Sequence, residues 1–132
     1  MPTKLLRNLH LPNKEKKAVR EFSKRLRDKL GSRLVTVLLY GSKARGDYKA
    51  DSDIDLFVLV KKDSLSTSRM ITRITCQIDE EFDVDLTPLV WSLYEQGRNL
   101  EMGSPYFVSV YREGIVLLIF PSGMKRPCLV SK

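Results

Sequence analysis

Residues 38–60 read LLYGSKARGDYKADSDIDLFVLV. The opening letters continue a β-branched, apolar run, so Leu34–Tyr40 is expected to form a buried strand. Gly41 through Asp47 interrupt it as a turn or the start of a short helix, and Asp53–Val60 is expected to form a second strand. Asp53 and Asp55 stand two apart on that strand and therefore share a face. Strand geometry places their side chains roughly 6–7 Å apart. Carboxylates that close repel each other unless a cation sits between them. Upstream, Gly41 allows close approach to the backbone. The amides that follow it and the Ser42 hydroxyl suit phosphate oxygens. Lys43 and Arg45 either add positive charge to such a site or are ordinary exposed loop charges, and Arg45 has Asp47 within reach as a brace.

Downstream, Ser64 is a candidate cap for a helix over 65–80, whose apolar stripe is Met70, Ile71, Ile74 and Ile78. A third strand is expected over Phe82–Val90, with Phe82, Val84 and Leu86 on one face and Asp83, Asp85 and Thr87 on the other. If it lies beside the second strand, three or four carboxylates converge. Such a patch suits hard divalent cations, and Mg²⁺ in particular binds one or two carboxylates plus substrate phosphates. Ser104-Pro105 is expected to open a helix that Gly114 stops, followed by a last strand over Ile115–Phe120.

Upstream of the quoted stretch, residues 1–12 read as an irregular lead-in. Asn13 is a candidate cap for a helix over 14–30, with Val19, Phe22, Leu26 and Leu30 facing inward and Gly31 as its stop. The organisation is one α/β (α+β) domain over residues 1–120 and a loose tail over 121–132. The step from the first to the second strand is too short for a full helical crossover, so the sheet is expected to be mixed, with helices mainly on one side.

Composition agrees with a globular domain: 132 residues, 42% hydrophobic and 30% charged. No apolar run reaches the ~18–20 residues that span a bilayer. The first residues, Met-Pro-Thr-Lys, carry no apolar leader, so a cytoplasmic location without membrane association is expected. Cys76 and Cys128 have neither metal-ligand nor disulfide-framework spacing and read as reduced thiols. The net charge of +7 is unevenly placed: residues 1–33 hold 11 Lys/Arg against three acids, a local +8, which leaves the remainder at −1. Lys17, Arg20, Lys24 and Arg27 make a stripe along the first helix, either a solvated face or a docking surface for nucleic acid or an acidic protein.

The 38–60 stretch resembles the signature of the DNA polymerase β-like nucleotidyltransferase superfamily, Gly-Ser followed at a distance by Asp-x-Asp. Here ten residues, 43–52, separate Ser42 from Asp53. The flanking letters look like the minimal nucleotidyltransferases of prokaryotes, the MNT or MntA-like antitoxin type. DVDLTPLVW and SPYFVSVYREGIVLL also resemble the third strand and last helix of such proteins, so the likeness spans roughly residues 34–120. The resemblance implies a nucleotidyltransferase fold. Gly41 and Ser42 match the phosphate-binding pair, with Lys43 and Arg45 beside it. Asp53 and Asp55 match the metal-binding carboxylates. Asp85 best matches the third, with Asp83 in reserve.

By the same resemblance the activity is transfer of AMP, or another NMP, from ATP to an acceptor hydroxyl with two Mg²⁺ ions. The acceptor implied is a small helical partner of the HEPN type, in a toxin–antitoxin pair. The alternatives are a non-catalytic nucleotide-binding module or antitoxin acting by contact alone, and transfer to a small molecule or RNA end at a homo-oligomer interface.

Overall fold

A computed structural model describes residues 4–5, 11–46 and 52–117. Strand β1 is Lys4–Leu5, and helix α1, Asn13–Leu30, follows Pro12. Strand β2, Leu34–Tyr40, leads through Gly41 into the single turn α2, Ser42–Arg45. Strand β3 is Ile54–Val60, helix α3 is Leu65–Phe82 and strand β4 is Leu86–Ser92. Helices α4, Leu93–Glu101, and α5, Pro105–Glu113, precede strand β5, Ile115–Val116.

The five strands make one mixed sheet in the order β1-β5-β2-β3-β4. β2 runs antiparallel to both β3 and β5, while β3–β4 and β1–β5 are parallel. The short β2-to-β3 step therefore makes an antiparallel pair, and α3 supplies the crossover that a parallel β3–β4 pair needs.

Period-two alternation, broken once on β2 by an irregularity between Leu34 and Thr36, sorts the central strands into two faces. Val37, Leu39, Ile54, Leu56, Val58 and Val60 point to the first, covered by Val19, Phe22 and Leu26 of α1 and by Ile71, Ile74 and Ile78 of α3. Val35, Leu38, Phe57 and Leu59 point to the second, where Val110 of α5 packs and Leu89 and Trp91 are half-buried. The two long helices thus lie on one side. β3, buried on both faces, is the spine.

Several boundaries differ from the sequence reading. Phe82 closes α3 instead of opening a strand, because it stands one helical turn after Ile78 and extends the same stripe. Asp83 caps that helix in the left-handed conformation, φ 54°. Asp83 and Asp85 are therefore not strand residues sharing a face. Helix α1 starts at Asn13, and no side chain caps it, so Asn13 is not the cap. The lead-in contributes β1, and α4 follows β4 directly under a Ser92–Glu95 capping box. The last strand is Ile115–Val116, and the Leu117 amide continues its ladder to the Val37 carbonyl. Residues 118–120, the tail over 121–132, Cys128 and Asp47 lie outside the described residues. Cys76 is an exposed free thiol. Among the described residues no helix is long and apolar enough to cross a membrane.

Candidate active site

The register decides which residues meet. Tyr40 at the end of β2 pairs with Asp55 at the start of β3, and Asp55 pairs in turn with Thr87 at the start of β4. The Gly41–Ser42 turn, the aspartate pair and the segment before β4 thus gather at one end of the sheet. Asp55 lies two residues from Phe57 and shares its face, the second one.

Asp55 is held on both oxygens. The Thr87 hydroxyl lies 2.9 Å from Oδ1 and 3.2 Å from the Ile54 carbonyl oxygen; its one proton goes to the nearer, charged acceptor. Oδ2 fills the space a side chain on Gly41 would need: a Cβ there would meet it at 2.5 Å. Gly41 also has φ 76°, in the left-handed region that favours glycine. The glycine of one motif and the second aspartate of the other are in this sense a single packed unit.

Asp53 and Asp85 are exposed. The Asp85 carbonyl accepts the Ile54 amide at 2.9 Å, which ties the segment before β4 to the start of β3. The Asp85 carboxyl is raised above its ordinary value, first by a hydrogen bond with the Asp53 carboxyl and then by the charge of Asp53. Two carboxyls this close repel each other, and a cation between them would relieve the repulsion. Asp83 points away: its side chain is 99% exposed and meets Lys14 at 3.6 Å. The structure therefore brings Asp85, not Asp83, to Asp53.

Among the described residues no three acidic, histidine or cysteine side chains close into a ready-made metal cage. Mg²⁺ does not require one, since it keeps waters and takes substrate phosphates to complete its octahedron. Asp53, which immediately precedes β3, lies beside Asp85, and with Asp55 at the start of β3 it supplies open, hard-oxygen donors at the same sheet end, which suits such an ion.

Of the two cations of the turn, Lys43 is buried where neither reading placed it, while Arg45 is exposed as one of the two readings had it. Lys43 is 2% exposed, its ammonium 3.0 Å from Glu15 Oε1 and 3.2 Å from Oε2. Only the Oε2 contact has hydrogen-bond geometry. Lys43 is thus neither a loop charge nor placed to meet phosphate. Arg45 is exposed and reaches Glu113 of α5 at 3.0 Å. Sequence reasoning missed Thr87 as the partner of Asp55, although its place on the aspartate face was readable. It also missed the inward turn of Lys43, which no local signal announces.

A nucleotidyltransferase domain model matches residues 19–113, most of the chain. The chain belongs to the nucleotidyltransferase domain family. Two Methanocaldococcus jannaschii proteins are similar to this nucleotidyltransferase. "Putative protein adenylyltransferase MJ0141" is 34% identical over 74 residues, covering 55% of this chain and 75% of the relative. MJ0604, of the same description, is 44% identical over 45 residues, covering 34% and 45%. The crystal structure of a mutant MntA-HpeT toxin-antitoxin superposes with a TM-score of 0.50 at 17% identity, over 83% of this chain and 75% of that one. That likeness is one of fold.

Proposed function

We propose that this nucleotidyltransferase moves AMP from Mg²⁺-ATP to a hydroxyl on a partner protein, the α–β phosphoanhydride bond breaking and pyrophosphate leaving. The observation that carries the proposal is that Asp55, packed against Gly41, and the neighbouring carboxyls of Asp53 and Asp85 lie at the same end of the sheet. In this reading Gly41 and Ser42 receive the triphosphate, Asp53 and Asp55 hold the metal-bound phosphates, and Asp85 stands on the acceptor side. Two Mg²⁺ ions, when bound, supply charge neutralisation at the phosphates and lower the pKa of the acceptor hydroxyl. In this reading Asp85 takes the proton of that hydroxyl. Thr87 keeps Asp55 from swinging away. Most of the acceleration then comes from positioning and preorganised charge.

A protein acceptor is favoured by the description of the M. jannaschii relatives as protein adenylyltransferases. The toxin-antitoxin with the same fold supports a toxin as the partner; that it is of the HEPN type and silenced by AMP transfer is what the sequence resemblance implies. The basic stripe of α1 serves docking to that acceptor or to nucleic acid.

The test is incubation of the full chain with labelled ATP, Mg²⁺ and whatever protein co-purifies with it. The expected result is label on the partner, lost with Asp53→Ala. An unlabelled partner that is still neutralised by Asp53→Ala would reject transfer in favour of contact alone.

A further inference from the structure

A single helical turn has no stability of its own, because nucleating a helix costs more than one turn of hydrogen bonds returns. The Ala44 and Arg45 amides both bond back to the Gly41 carbonyl just ahead of α2, each at 3.1 Å. Tertiary anchors must hold it, and three successive residues supply them in different directions. Lys43 turns inward to Glu15 of α1, Ala44 is buried in the core, and Arg45 reaches outward to Glu113 of α5.

The Lys43 anchor is a costly choice for mere stability. Both side chains are largely dehydrated, at 1% and 11% exposure. A buried ion pair seldom outperforms apolar residues of the same volume. What it adds over an apolar contact is direction: an ammonium that must meet one carboxylate fixes the backbone from which it extends. Glu15 is a good fixed point. It sits in the first turn of an 18-residue helix, where the helix dipole favours a carboxylate. The rest of that helix is packed on the sheet through Ala18, Val19, Phe22 and Leu26.

We propose that Lys43 and Glu15 are positioning residues for the nucleotide: their buried ion pair fixes the Gly41–Ser42 turn to α1 so that its backbone is aimed at the triphosphate before ATP arrives. The inference rests on the reading that this turn receives the triphosphate. Lys43 itself touches no nucleotide. Its effect passes through the backbone of its two predecessors, and losing it weakens nucleotide binding by loosening the turn.

The test measures two quantities on the full chain, the thermal midpoint and the affinity for Mg²⁺-AMP-PNP by calorimetry well below that midpoint. Lys43→Met alone strands the Glu15 carboxylate in the interior, so its midpoint should fall. The double variant Lys43→Met with Glu15→Gln removes both charges and should recover most of it. Affinity should drop about tenfold in the double variant although the fold is restored, and Lys43→Arg, which keeps the charge, should regain part of it. Ser42→Ala serves as a reference for the turn. If the double variant binds AMP-PNP as the wild type does while Ser42→Ala binds weakly, the pair is only structural and the proposal fails. If neither weakens binding, the turn does not hold nucleotide, and the underlying reading falls with the proposal.

Discussion

Asp55 has one neighbour on each carboxylate oxygen, and the two neighbours differ in what they tolerate. Gly41→Ala would drive a Cβ against Oδ2 and hold an alanine at φ 76°, a backbone strain of about 1–2 kcal/mol. Both a lower midpoint and loss of transfer are expected, measured by thermal melting and labelled-ATP assay. Asp55→Ala behaves differently. The Thr87 hydroxyl keeps the Ile54 carbonyl as acceptor, so nothing buried is orphaned. Transfer should fall to background in Asp53→Ala and in Asp55→Ala with the midpoint unchanged or slightly raised, since each removes a charge from an acidic cluster. Full activity in either would remove these residues from the chemistry. Asp79 yields a pH prediction. Burial raises its carboxyl above the ordinary 3.8, against a hydrogen bond from the Leu86 amide that pulls it down. A raised native pKa stabilises the fold fully below the unfolded value and ceases to do so as pH climbs through the native one. Asp79→Asn keeps an oxygen for the Leu86 amide and has no charge to dehydrate. It should melt with the wild type in acid and above it at pH 7. Equal midpoints at both pH values would contradict this.

Helix α1 carries two unlike faces. Val19, Phe22 and Leu26 are fully buried, while Lys17, Arg20, Lys24 and Arg27 are all exposed. Changing those four to Glu should weaken association with the acceptor most at low salt, where screening is least, and leave Mg²⁺-ATP binding intact. Normal binding of the acceptor at low salt would make the stripe a solvated face only. The elements also show where sequence legibility ends. Gly41, Ser42, Asp53 and Asp55 could be put forward as candidates because spacing along one turn and up to the start of one strand is a local property. The start of β4 was not: Phe82-x-Val84-x-Leu86 alternates like a strand, yet Phe82 also continues the helical stripe of Ile74 and Ile78, and only packing settles which period wins. Helix α4 was invisible to hydrophobic periodicity because Gln96 is its one buried residue, with Leu93, Tyr94 and Leu100 exposed. Its signal was the Ser92-x-x-Glu95 box. The inward turn of Lys43 depends on Glu15, 28 positions upstream, a distance no local pattern spans.

At the scale of the whole molecule, the proposed site links ligand binding and folding through the sheet end that joins β2, β3 and β4. Mg²⁺-AMP-PNP at 100 times its dissociation constant should stabilise the chain by about 2.7 kcal/mol. That gain should vanish in Asp53→Ala, as read by thermal shift; an undiminished shift in the variant would place the nucleotide elsewhere. The strand order carries one more implication. β1 has β5 as its sheet neighbour, while β2, β3 and β4 neighbour one another in unbroken succession. As the chain leaves the ribosome, the three strands around the aspartates are all present once Ser92 has emerged. Lys4–Leu5 must still wait for Ile115–Val116 before it has anything to pair with. The strands of the candidate site are thus made early and the β1–β5 side is paired last, so a nascent chain halted just past β4 already holds Gly41, Asp53, Asp55 and Asp85.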